Sequence, residues 1–508
     1  MSKAIPHGEL FRDILNGTLT DAGSREKLAE SPYLDAGSVT RAGDTVLALG
    51  QLEGKEGLWA VSKCETAVSV FTGNTKSEKV GAETLYGVCC ELGNTNARQV
   101  RQLLPYTGPS LLSGSHSFGT GDRIGGIAPA TPGHIDALRD SGFAPVLAQQ
   151  SVRENTKTGR TFAGVLDDVT WTVLRMGYTG SWGADADHLK GIEDIADAVR
   201  AGFTFYTLDP SDLIDHSADN ATVAQLGIKL NELYPGEQDA RRIVDKYEKV
   251  ADNADRTEIV RSLVKYTGAV RHAVSAYRRL VELKGEGGFD FELSIDETAT
   301  ETSDIDHRII ATECRDAGVK LYSLAPRFPG AFEKGIDYRG SIDDFRTSLA
   351  KHVSLSRELG GYRLSMHSGS DKFSVYPIFG ELTGGYFHVK TAGTSYLEAV
   401  KTVASADFDL FRDIYALSLD TFRENAASYE ITADPSLSPE ISGLTSSQAV
   451  DEITNNPHMR QVLHIAFGVV LKGMGDRLRV SLRTHDGLYR EYVSTHIGRH
   501  VALLRGGA

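Results

Sequence analysis

The chain has 508 residues, of which 41% are hydrophobic and 24% charged, and its formal net charge at pH 7 is −14. These are ordinary values for a globular protein, and the length exceeds what one hydrophobic core usually serves, so a large domain with additions or two to three domains are expected. The negative charge disfavours non-specific binding to nucleic acid or to an anionic membrane surface.

The cysteines and the amino terminus predict a cytoplasmic protein. No CxxC pair and no regular spacing occurs among the four cysteines, Cys64, Cys89, Cys90 and Cys314. This argues against a disulfide framework and against cysteine-bound zinc. The first residues, MSKAIPHGE, lack the apolar stretch of a signal peptide, and no run of about 18 apolar residues follows, so export and membrane insertion are not expected.

Residues 1–108 differ in pattern from the rest of the chain. Short apolar runs, for example Thr45–Leu49 and Leu58–Ser62, are separated by glycine and charged residues. This pattern predicts a small α+β extension or cap that precedes the main domain.

From about residue 109, apolar runs typical of buried strands alternate with segments of helical periodicity. Eight strand candidates occur, at Ser110–Ser115, Ala144–Gln149, Trp182–His188, Phe203–Leu208, Phe289–Ile295, Val319–Leu324, Tyr362–Met366 and Tyr386–Val389. All are joined by connections long enough for helices, which indicates a (β/α)8 TIM-like barrel of the α/β class. We assign the barrel to 109–400, a helical insertion to about 213–288 and a C-terminal helical extension to 401–508.

Four of these strands end in ionisable residues. The ends carry Asp187 and His188, Glu292 and Asp296, His367, and His388 and Lys390. The carboxyl ends of barrel strands meet around one site, so this recurrence suggests a metal centre with acid/base partners. Each residue taken singly has another explanation, as a helix N-cap or a satisfied polar group in the core.

Imidazole is the commonest ligand of a catalytic divalent ion, and catalytic sites usually combine three protein ligands with an open position. His188, His367 and His388 would supply such a set from three strands. Asp187 and His188 are adjacent, so both reach the barrel axis only if the strand ends there.

Polar side chains near other strand ends suit a polyhydroxylated, anionic ligand. Arg123 offers a fork for a carboxylate or phosphate, and amides follow the second strand, although a plain turn and a solvated loop are the alternatives. Lysines after the last two strands could neutralise a carboxylate. The predicted substrate-binding residues are Arg123, Gln150, Arg153, Lys372 and Lys390.

Eight motifs together resemble one family. They are GTGDRIG (119–125), AQQSVREN (148–155), VLDDVTW (165–171), GADADH (183–188), TLDPSD (207–212), FELSIDET (291–298), HSGSDKFSVYP (367–377) and FHVKTAGTSYLEAV (387–400). These segments are similar to the tagaturonate/fructuronate epimerase family of hexuronate catabolism. The likeness covers roughly residues 110–508, and the first 100 residues contribute little to it.

The resemblance implies a cytoplasmic, divalent-metal-dependent epimerase that interconverts D-tagaturonate and D-fructuronate by inversion at C4 of the ketose. It leaves the metal open among zinc, manganese, nickel and cobalt. The partner it implies is a keto-hexuronate substrate, with neither nucleic acid nor membrane, and it leaves open a homo-oligomer.

The resemblance also implies residue roles. Asp187 is the implied proton acceptor and Glu292 the proton donor. His188 and His367 are implied metal ligands. The third ligand stays open between His388, which we choose on position, and Asp296.

The substrate constrains the mechanism. The carbon that inverts bears a hydroxyl β to the ketone, so its C–H is not acidified and simple deprotonation would be slow. A metal-assisted retro-aldol and aldol sequence fits better, and a transient hydride shift is the alternative. Such a site should push the pKa values of Asp187 and Glu292 apart.

Two other functions stay open at this stage. One is a metal-dependent aldolase or sugar isomerase that acts on a sugar acid, and product analysis would separate it from an epimerase. The other is a sugar-acid-binding protein without catalysis, which predicts that a carboxylate or histidine of the set is missing.

Overall fold

The computed structural model describes residues 5–28, 34–52, 55–114, 116–250, 255–391, 393–427 and 429–506. A five-stranded antiparallel sheet comes first in the chain and is followed by a closed barrel of eight parallel strands. No helix in these ranges is long and apolar enough to span a membrane.

The first sheet contains β1 (Thr40–Ala42), β2 (Thr45–Leu52), β3 (Lys55–Ser62), β4 (Gly73–Val80) and β5 (Glu83–Glu91), in the order β1-β2-β3-β5-β4. Its helices are α1 (Gly8–Leu15), α2 (Asp21–Leu28), α3 (Glu65–Val68) and α4 (Asn94–Leu103). Alternate residues of β2 enter two different cores, because successive side chains of a strand point to opposite faces. Leu47 and Leu49 join a cluster with Trp171 of the barrel domain, and Val46 packs in the other cluster.

The barrel strands are β6 (His116–Gly119), β7 (Ala144–Ser151), β8 (Gly183–Leu189), β9 (Phe205–Leu208), β10 (Asp290–Ile295), β11 (Ser323–Pro326), β12 (Arg363–Met366) and β13 (Phe387–Lys390). Each strand pairs in parallel with the next one along the chain, and β13 pairs with β6 to close the barrel. The predicted TIM-like fold is therefore confirmed.

Helices lie between the strands and after them. They are α5 (Thr131–Leu138), α6 (Val152–Thr158), α7 (Phe162–Met176), α8 (Ile192–Ala201), α9 (Val223–Leu233), α10 (Glu237–Glu248), α11 (Arg256–Lys284), α12 (Asp304–Asp316), α13 (Ile342–Leu359), α14 (Tyr376–Thr383), α15 (Thr394–Ala406), α16 (Phe408–Asp420), α17 (Phe422–Ala426), α18 (Ser446–Asn455), α19 (Pro457–Ile465), α20 (Phe467–Thr484) and α21 (Asp486–Leu504). Helices α9 to α11 of the predicted insertion pack around an apolar cluster that also includes Ile305 and Ile309 of α12. The domain boundaries themselves stay a prediction.

The first predicted strand is displaced. Residues 110–114 are irregular and β6 begins at His116, while Ser115 lies outside the described residues. The irregular segment crosses the amino-terminal end of the barrel, where Ser110 N–H donates to Trp182 O at 2.7 Å and Leu112 N–H donates to Asp290 Oδ2 at 2.9 Å. The side chain of Leu112 in this segment packs against a small apolar cluster inside the barrel. The apolar residues at 110–114 therefore close the amino-terminal end of the barrel and do not form a strand.

The sixth strand is also displaced, from the predicted Val319–Leu324 to Ser323–Pro326. Its last residue is a proline in register with Ile295. Proline cannot donate the backbone hydrogen bond that residues inside a central strand make, and Pro326 is the residue at which this strand ends.

The barrel interior changes character along its axis. Val146, Phe205 and Tyr322 form an apolar cluster at the amino-terminal end. Two residues after Phe205 on the same face of β9, Thr207 brings a hydroxyl group into the barrel, where it contacts Lys390. The carboxyl ends are therefore the open and polar end of the barrel, as expected for this fold.

Candidate active site at the carboxyl ends of the barrel strands

A cavity of about 490 Å³ opens at the carboxyl ends of the strands. This volume lies in the range of small-molecule sites. The predicted site residues that line it are Arg123, Arg153, Asp187, His188, Asp296, His367 and Lys390. Four other predicted residues, Gln150, Glu292, Lys372 and His388, are buried but do not line it.

Three possible metal ligands converge at the floor of this cavity. One ligand atom each of His188, Asp296 and His367 lies within 4.8 Å of the other two. The two imidazole rings have centroids 5.0 Å apart. Two imidazoles and one carboxylate form a donor set that suits several divalent cations.

The local backbone brings His188 to the cavity next to Asp187. His188 has a φ of +52°, a conformation uncommon for a residue other than glycine, and the pairing of β8 with β9 shifts register at this point. The strand thus ends irregularly, and the adjacent Asp187 and His188 both line the cavity.

Carboxylates orient both imidazoles. His188 Nδ1 lies 2.8 Å from Asp187 Oδ1, and His367 Nε2 lies 2.6 Å from Glu292 Oε1. A carboxylate that accepts from one ring nitrogen leaves the lone pair of the other nitrogen for a metal. His367 Nδ1 accordingly faces Asp296 Oδ1 at 3.3 Å. These contacts fit a cation held by His188, His367 and Asp296.

Negative charge around His367 also fits a cation. Burial lowers the pKa of His367, but Asp296 and Glu292 outweigh it and raise that pKa to about 10. The carboxylates thus favour positive charge at this ring, and a divalent cation would supply that charge in place of the proton.

The structure places His388 away from this metal group. It faces inward on β13 two residues before Lys390, so it lies roughly 7 Å deeper in the barrel. Its Nδ1 hydrogen-bonds Ser117 Oγ at 2.8 Å, and Phe205 packs on the ring with centroids 5.2 Å apart. Burial lowers the pKa of His388 to about 3. Geometry therefore favours the competitor Asp296 as third ligand.

Lys390 joins three carboxylates rather than offering a free charge. Its Nζ lies 2.8 Å from Asp185 Oδ2, 2.7 Å from Asp187 Oδ1 and 2.9 Å from Glu292 Oε1. Burial lowers the pKa of Lys390, but the three carboxylates raise it above the ordinary value. The ammonium is therefore already paired, which argues against the expected contact with a substrate carboxylate.

The pKa values of Asp187 and Glu292 shift in the same direction. Burial raises both, but His188 and Lys390 hold the pKa of Asp187 well below its usual value, and Lys390 and His367 do the same for Glu292. The expected separation of these two pKa values is not found. The separation lies instead between Asp187 and Asp185, because burial raises the pKa of Asp185 to about 6.

Glu292 stands behind the cavity. It is fully buried, Ser323 Oγ donates to its Oε2, and its Oε1 contacts His367 and Lys390, both of which line the cavity. Glu292 is therefore connected to the cavity through these two side chains.

Two more of the predicted substrate-binding residues have internal partners. Arg123 Nε donates to Glu154 Oε1 at 2.7 Å, so its charge is matched although it lines the cavity. Lys372 Nζ donates to the backbone carbonyls of Glu333, Ile336 and Ser370 at 2.6 to 2.9 Å. Lys372 therefore holds a loop together instead of facing a ligand.

Gln150 faces away from the cavity. On β7 its register partner is Ala186, whereas Gln149 pairs with Asp185 and Ser151 with Asp187. Successive strand residues alternate faces, so Gln149 and Ser151 line the cavity while Gln150 does not. Only the register with β8, which pairs Gln149 with Asp185, separates the two amides, and the sequence does not give this register.

Several charged or polar residues of the site were not predicted, among them Asp185, Thr207 and Lys334. Asp185 and Thr207 contact Lys390 from below the cavity, and Lys334 lines the cavity from the loop after β11. Asp185 shares a strand face with Asp187, so spacing could have revealed it. Lys334 lies in a long loop without periodicity, where the sequence carries no comparable signal.

Comparison with known proteins agrees with this geometry. The family model described as tagaturonate epimerase matches residues 36–504. The chain belongs to the tagaturonate epimerase family. Membership confirms the predicted family and the predicted enzyme class, an epimerase among the isomerases.

Several relatives of this family can be compared over nearly their whole length. The tagaturonate/fructuronate epimerase of Thermotoga maritima is 41% identical over 459 residues, which cover 89% of this chain and 93% of that protein. The glycerol-complexed crystal structure of fructuronate-tagaturonate epimerase from Cohnella laeviribosi is 33% identical with a TM-score of 0.84, and the match covers 94% of this chain and 98% of that one. The native structure of the same enzyme gives the same identity and TM-score over 95% and 99%.

Proposed function

We propose that this chain interconverts D-tagaturonate and D-fructuronate by inverting C4 of the ketose, with the help of a divalent cation. Family membership over residues 36–504 supports the reaction. The convergence of His188, Asp296 and His367 on one point beside Asp187 supports the cation and is the observation that carries the proposal.

His188, Asp296 and His367 would hold the cation, which would supply Lewis acidity to the reaction. The cavity is large enough for a six-carbon sugar acid, and Asp187 lines it in an ionised form. Asp187 is therefore placed to accept the proton of the C4 hydroxyl.

Loss of that proton allows the C3–C4 bond to break. Its electron pair moves to C3 and gives an enediolate of C1 to C3, while C4 becomes an aldehyde. Rotation about C4–C5 presents the other aldehyde face, and attack by C3 restores the bond with C4 inverted. No hydrogen leaves carbon in this sequence, so the weak acidity of the C4–H bond is not an obstacle.

A proton must then return to the new C4 oxygen. Lys390 lines the cavity, touches Asp187 and is held by Glu292. We assign proton delivery to Lys390, which regains a proton from Asp187, so that the protons balance over one turnover. Glu292 serves the acid side of the reaction by holding Lys390 and His367.

Carbon NMR of D-tagaturonate incubated with the metal-loaded protein tests this function. D-Fructuronate should appear, the reverse reaction should reach the same ratio, and three-carbon products should stay minor. Accumulation of two three-carbon fragments would identify an aldolase instead, and a product with inversion at another carbon would reject the assignment.

Variants of the two carboxylates serve as controls in the same assay. Asp187→Asn and Glu292→Gln should each lower turnover by roughly 10²–10⁴-fold, because each removes a partner of the proton transfer. Near-normal turnover in either variant would show that the carboxylate is only structural.

A further inference from the structure

The cavity contains two cations that no described carboxylate pairs with. Lys334 and Arg153 both line it, whereas the other lysine and arginine side chains of the cavity pair with carboxylates, Arg123 with Glu154, Arg327 with Glu430 and Lys390 with Asp185. The Lys334 ammonium donates to Ser368 Oγ at 2.6 Å, which is a neutral partner. Arg153 lies at the start of α6 with its guanidinium 5.9 Å from the ring centre of Tyr429.

Neighbouring charges make this part of the cavity electropositive. Burial lowers the pKa of Lys334, and the positive charges of Arg123 and Arg153 lower it further. The carboxylate of Glu154 pairs with Arg123, and its charge offsets only part of this lowering of the Lys334 pKa. Lys334 is half-buried and Arg153 is exposed, and a cation partly removed from water without a counter-ion is costly, so an anionic ligand group would be stabilised here.

The loop that carries Lys334 is fixed on both sides. Lys372 Nζ donates to the carbonyls of Glu333 and Ile336, and Gln461 Nε2 donates to the Glu333 carboxylate at 2.9 Å and to Lys334 O at 3.2 Å. Arg460 Nε donates to Gly335 O at 2.6 Å. The main chain of Lys334 is thus held in place before a ligand arrives, which lowers the entropy lost on binding.

We propose that Lys334, assisted by Arg153, binds the carboxylate of the sugar acid and makes the site selective for keto-hexuronates over neutral ketohexoses. The inference rests on the proposed function and deepens it. It replaces the cluster expected from sequence, in which Arg123, Lys372 and Lys390 now have internal partners.

The position of the substrate carboxylate gives Lys334 a second role, in the reaction itself. Cleavage between C3 and C4 leaves the carboxylate C6 on the aldehyde fragment, which must rotate without leaving. The Lys334 ammonium, by holding C6, keeps this fragment in the cavity while the aldehyde rotates and presents its other face. Removal of the Lys334 charge should therefore release dihydroxyacetone and 2-hydroxy-3-oxopropanoate, the two fragments of the cleaved substrate.

The test compares the metal-loaded, full-length wild type with Lys334→Met, Lys334→Arg and Lys320→Met. Lys320 is a matched control because it is an exposed lysine before β11, at the opposite end of the barrel, paired with Glu286. The measurements are kcat and KM for D-tagaturonate and the inhibition constant of D-tagatose, its neutral counterpart. Product mixtures are analysed for the two three-carbon fragments.

Lys334→Met should raise the KM for D-tagaturonate by about 10- to 100-fold, as expected for the loss of a hydrogen bond to a charged group. The inhibition constant of D-tagatose should change little, and the fragment-to-epimer ratio should rise. Lys334→Arg, which keeps the charge, should recover part of the lost affinity, and Lys320→Met should match the wild type.

Equal changes for D-tagaturonate and D-tagatose in Lys334→Met, or no change for D-tagaturonate, would overturn the inference while the epimerase function stands. Failure of the wild type to convert D-tagaturonate would instead reject the proposed function. In that case calorimetric binding of D-tagaturonate and D-tagatose to the wild type and Lys334→Met still tests the anion site. Weaker binding of only the acid would support the site, and equal binding would overturn it.

Discussion

His388 and Asp296 differ in what surrounds them, and this difference favours Asp296 as the third proposed metal ligand. The imidazole of His388 hydrogen-bonds Ser117 and packs on Phe205 deep in the barrel. The carboxylate of Asp296 faces His367 at the cavity. Burial raises the pKa of Asp296, but His367 and His188 outweigh it and hold that pKa below the usual value, so the carboxylate is ionised and ready to bind a cation.

Asp296→Asn should therefore weaken metal binding more than His388→Gln does. The loss of a direct ligand should exceed the roughly 10–100-fold effect typical of residues that only orient a ligand. Metal content after dialysis, measured on both purified variants, checks this expectation. Retention of metal in Asp296→Asn together with its loss in His388→Gln would identify His388 as the ligand instead.

The sequence alone located much of this site, since Asp187, His188, His367 and Lys390 were chosen for their strand-end positions and all line the cavity. Their exact partners could not be read from it. The position of Lys390 does not reveal that three carboxylates from β8 and β10 meet its ammonium. Gln150 was chosen over Gln149 because a strand face is known only once the register with β8 is known.

At the scale of elements, the loop between β12 and α14 connects the site to the C-terminal helices. Asp371 of this loop has a φ of +63° and is almost fully buried. Its carboxylate lies 3.2 Å from Arg460 of α19 and 2.8 Å from His496 of α21. Its N–H donates to His500 Nε2 at 3.1 Å, and His500 Nδ1 contacts His496 O at 2.8 Å. Both nitrogens of His500 are thus engaged by the backbone, so this cluster is structural.

Asp371→Asn should lower the free energy of unfolding at neutral pH by about 3–5 kcal/mol, because it leaves the Arg460 charge buried without its partner. Asp413→Asn, which breaks an exposed pair with Arg477 on the same C-terminal extension, is the matched control and should cost about 1 kcal/mol or less. Denaturant unfolding of both variants measures the difference. Equal losses in the two variants would contradict the structural role of Asp371.

The effect of Asp371→Asn should also depend on pH in a defined direction. Burial raises the pKa of Asp371, but Arg460 and His496 hold it well below its usual value in the folded chain. The stabilisation is therefore fully present above the unfolded pKa of about 3.9 and is lost as the pH falls through the lower folded pKa. The gap between wild type and variant should narrow only in that acidic range.

Strand and helix order could be predicted because apolar runs and helical periodicity are local properties of the sequence. Helical segments were predicted between the strands, and α8 (Ile192–Ala201) and α13 (Ile342–Leu359) are two of the helices found there. The irregular segment at residues 110–114 could not be distinguished from a strand, because Leu112 is buried in both cases and only contact with the barrel floor separates them.

At the scale of the whole molecule, the C-terminal extension forms part of the cavity wall. Tyr429, Glu430 and His464 line it together with residues of the strand ends. Contacts between segments so far apart in sequence leave no periodic pattern, so the sequence predicted a C-terminal helical extension but not its place in the wall of the site. The acidic chain thus encloses a locally basic region around Lys334, Arg153 and Arg123.

The central claim is that one cation at His188, Asp296 and His367 drives inversion at C4, and turnover of D-tagaturonate per bound metal tests it most directly. The measurement uses wild-type protein as purified, after treatment with a chelator, and after reloading with one divalent cation per chain. We predict that turnover falls with metal content and returns on reloading in the wild type, while Asp296→Asn recovers little. Undiminished conversion of D-tagaturonate by protein shown to be free of metal would contradict the account.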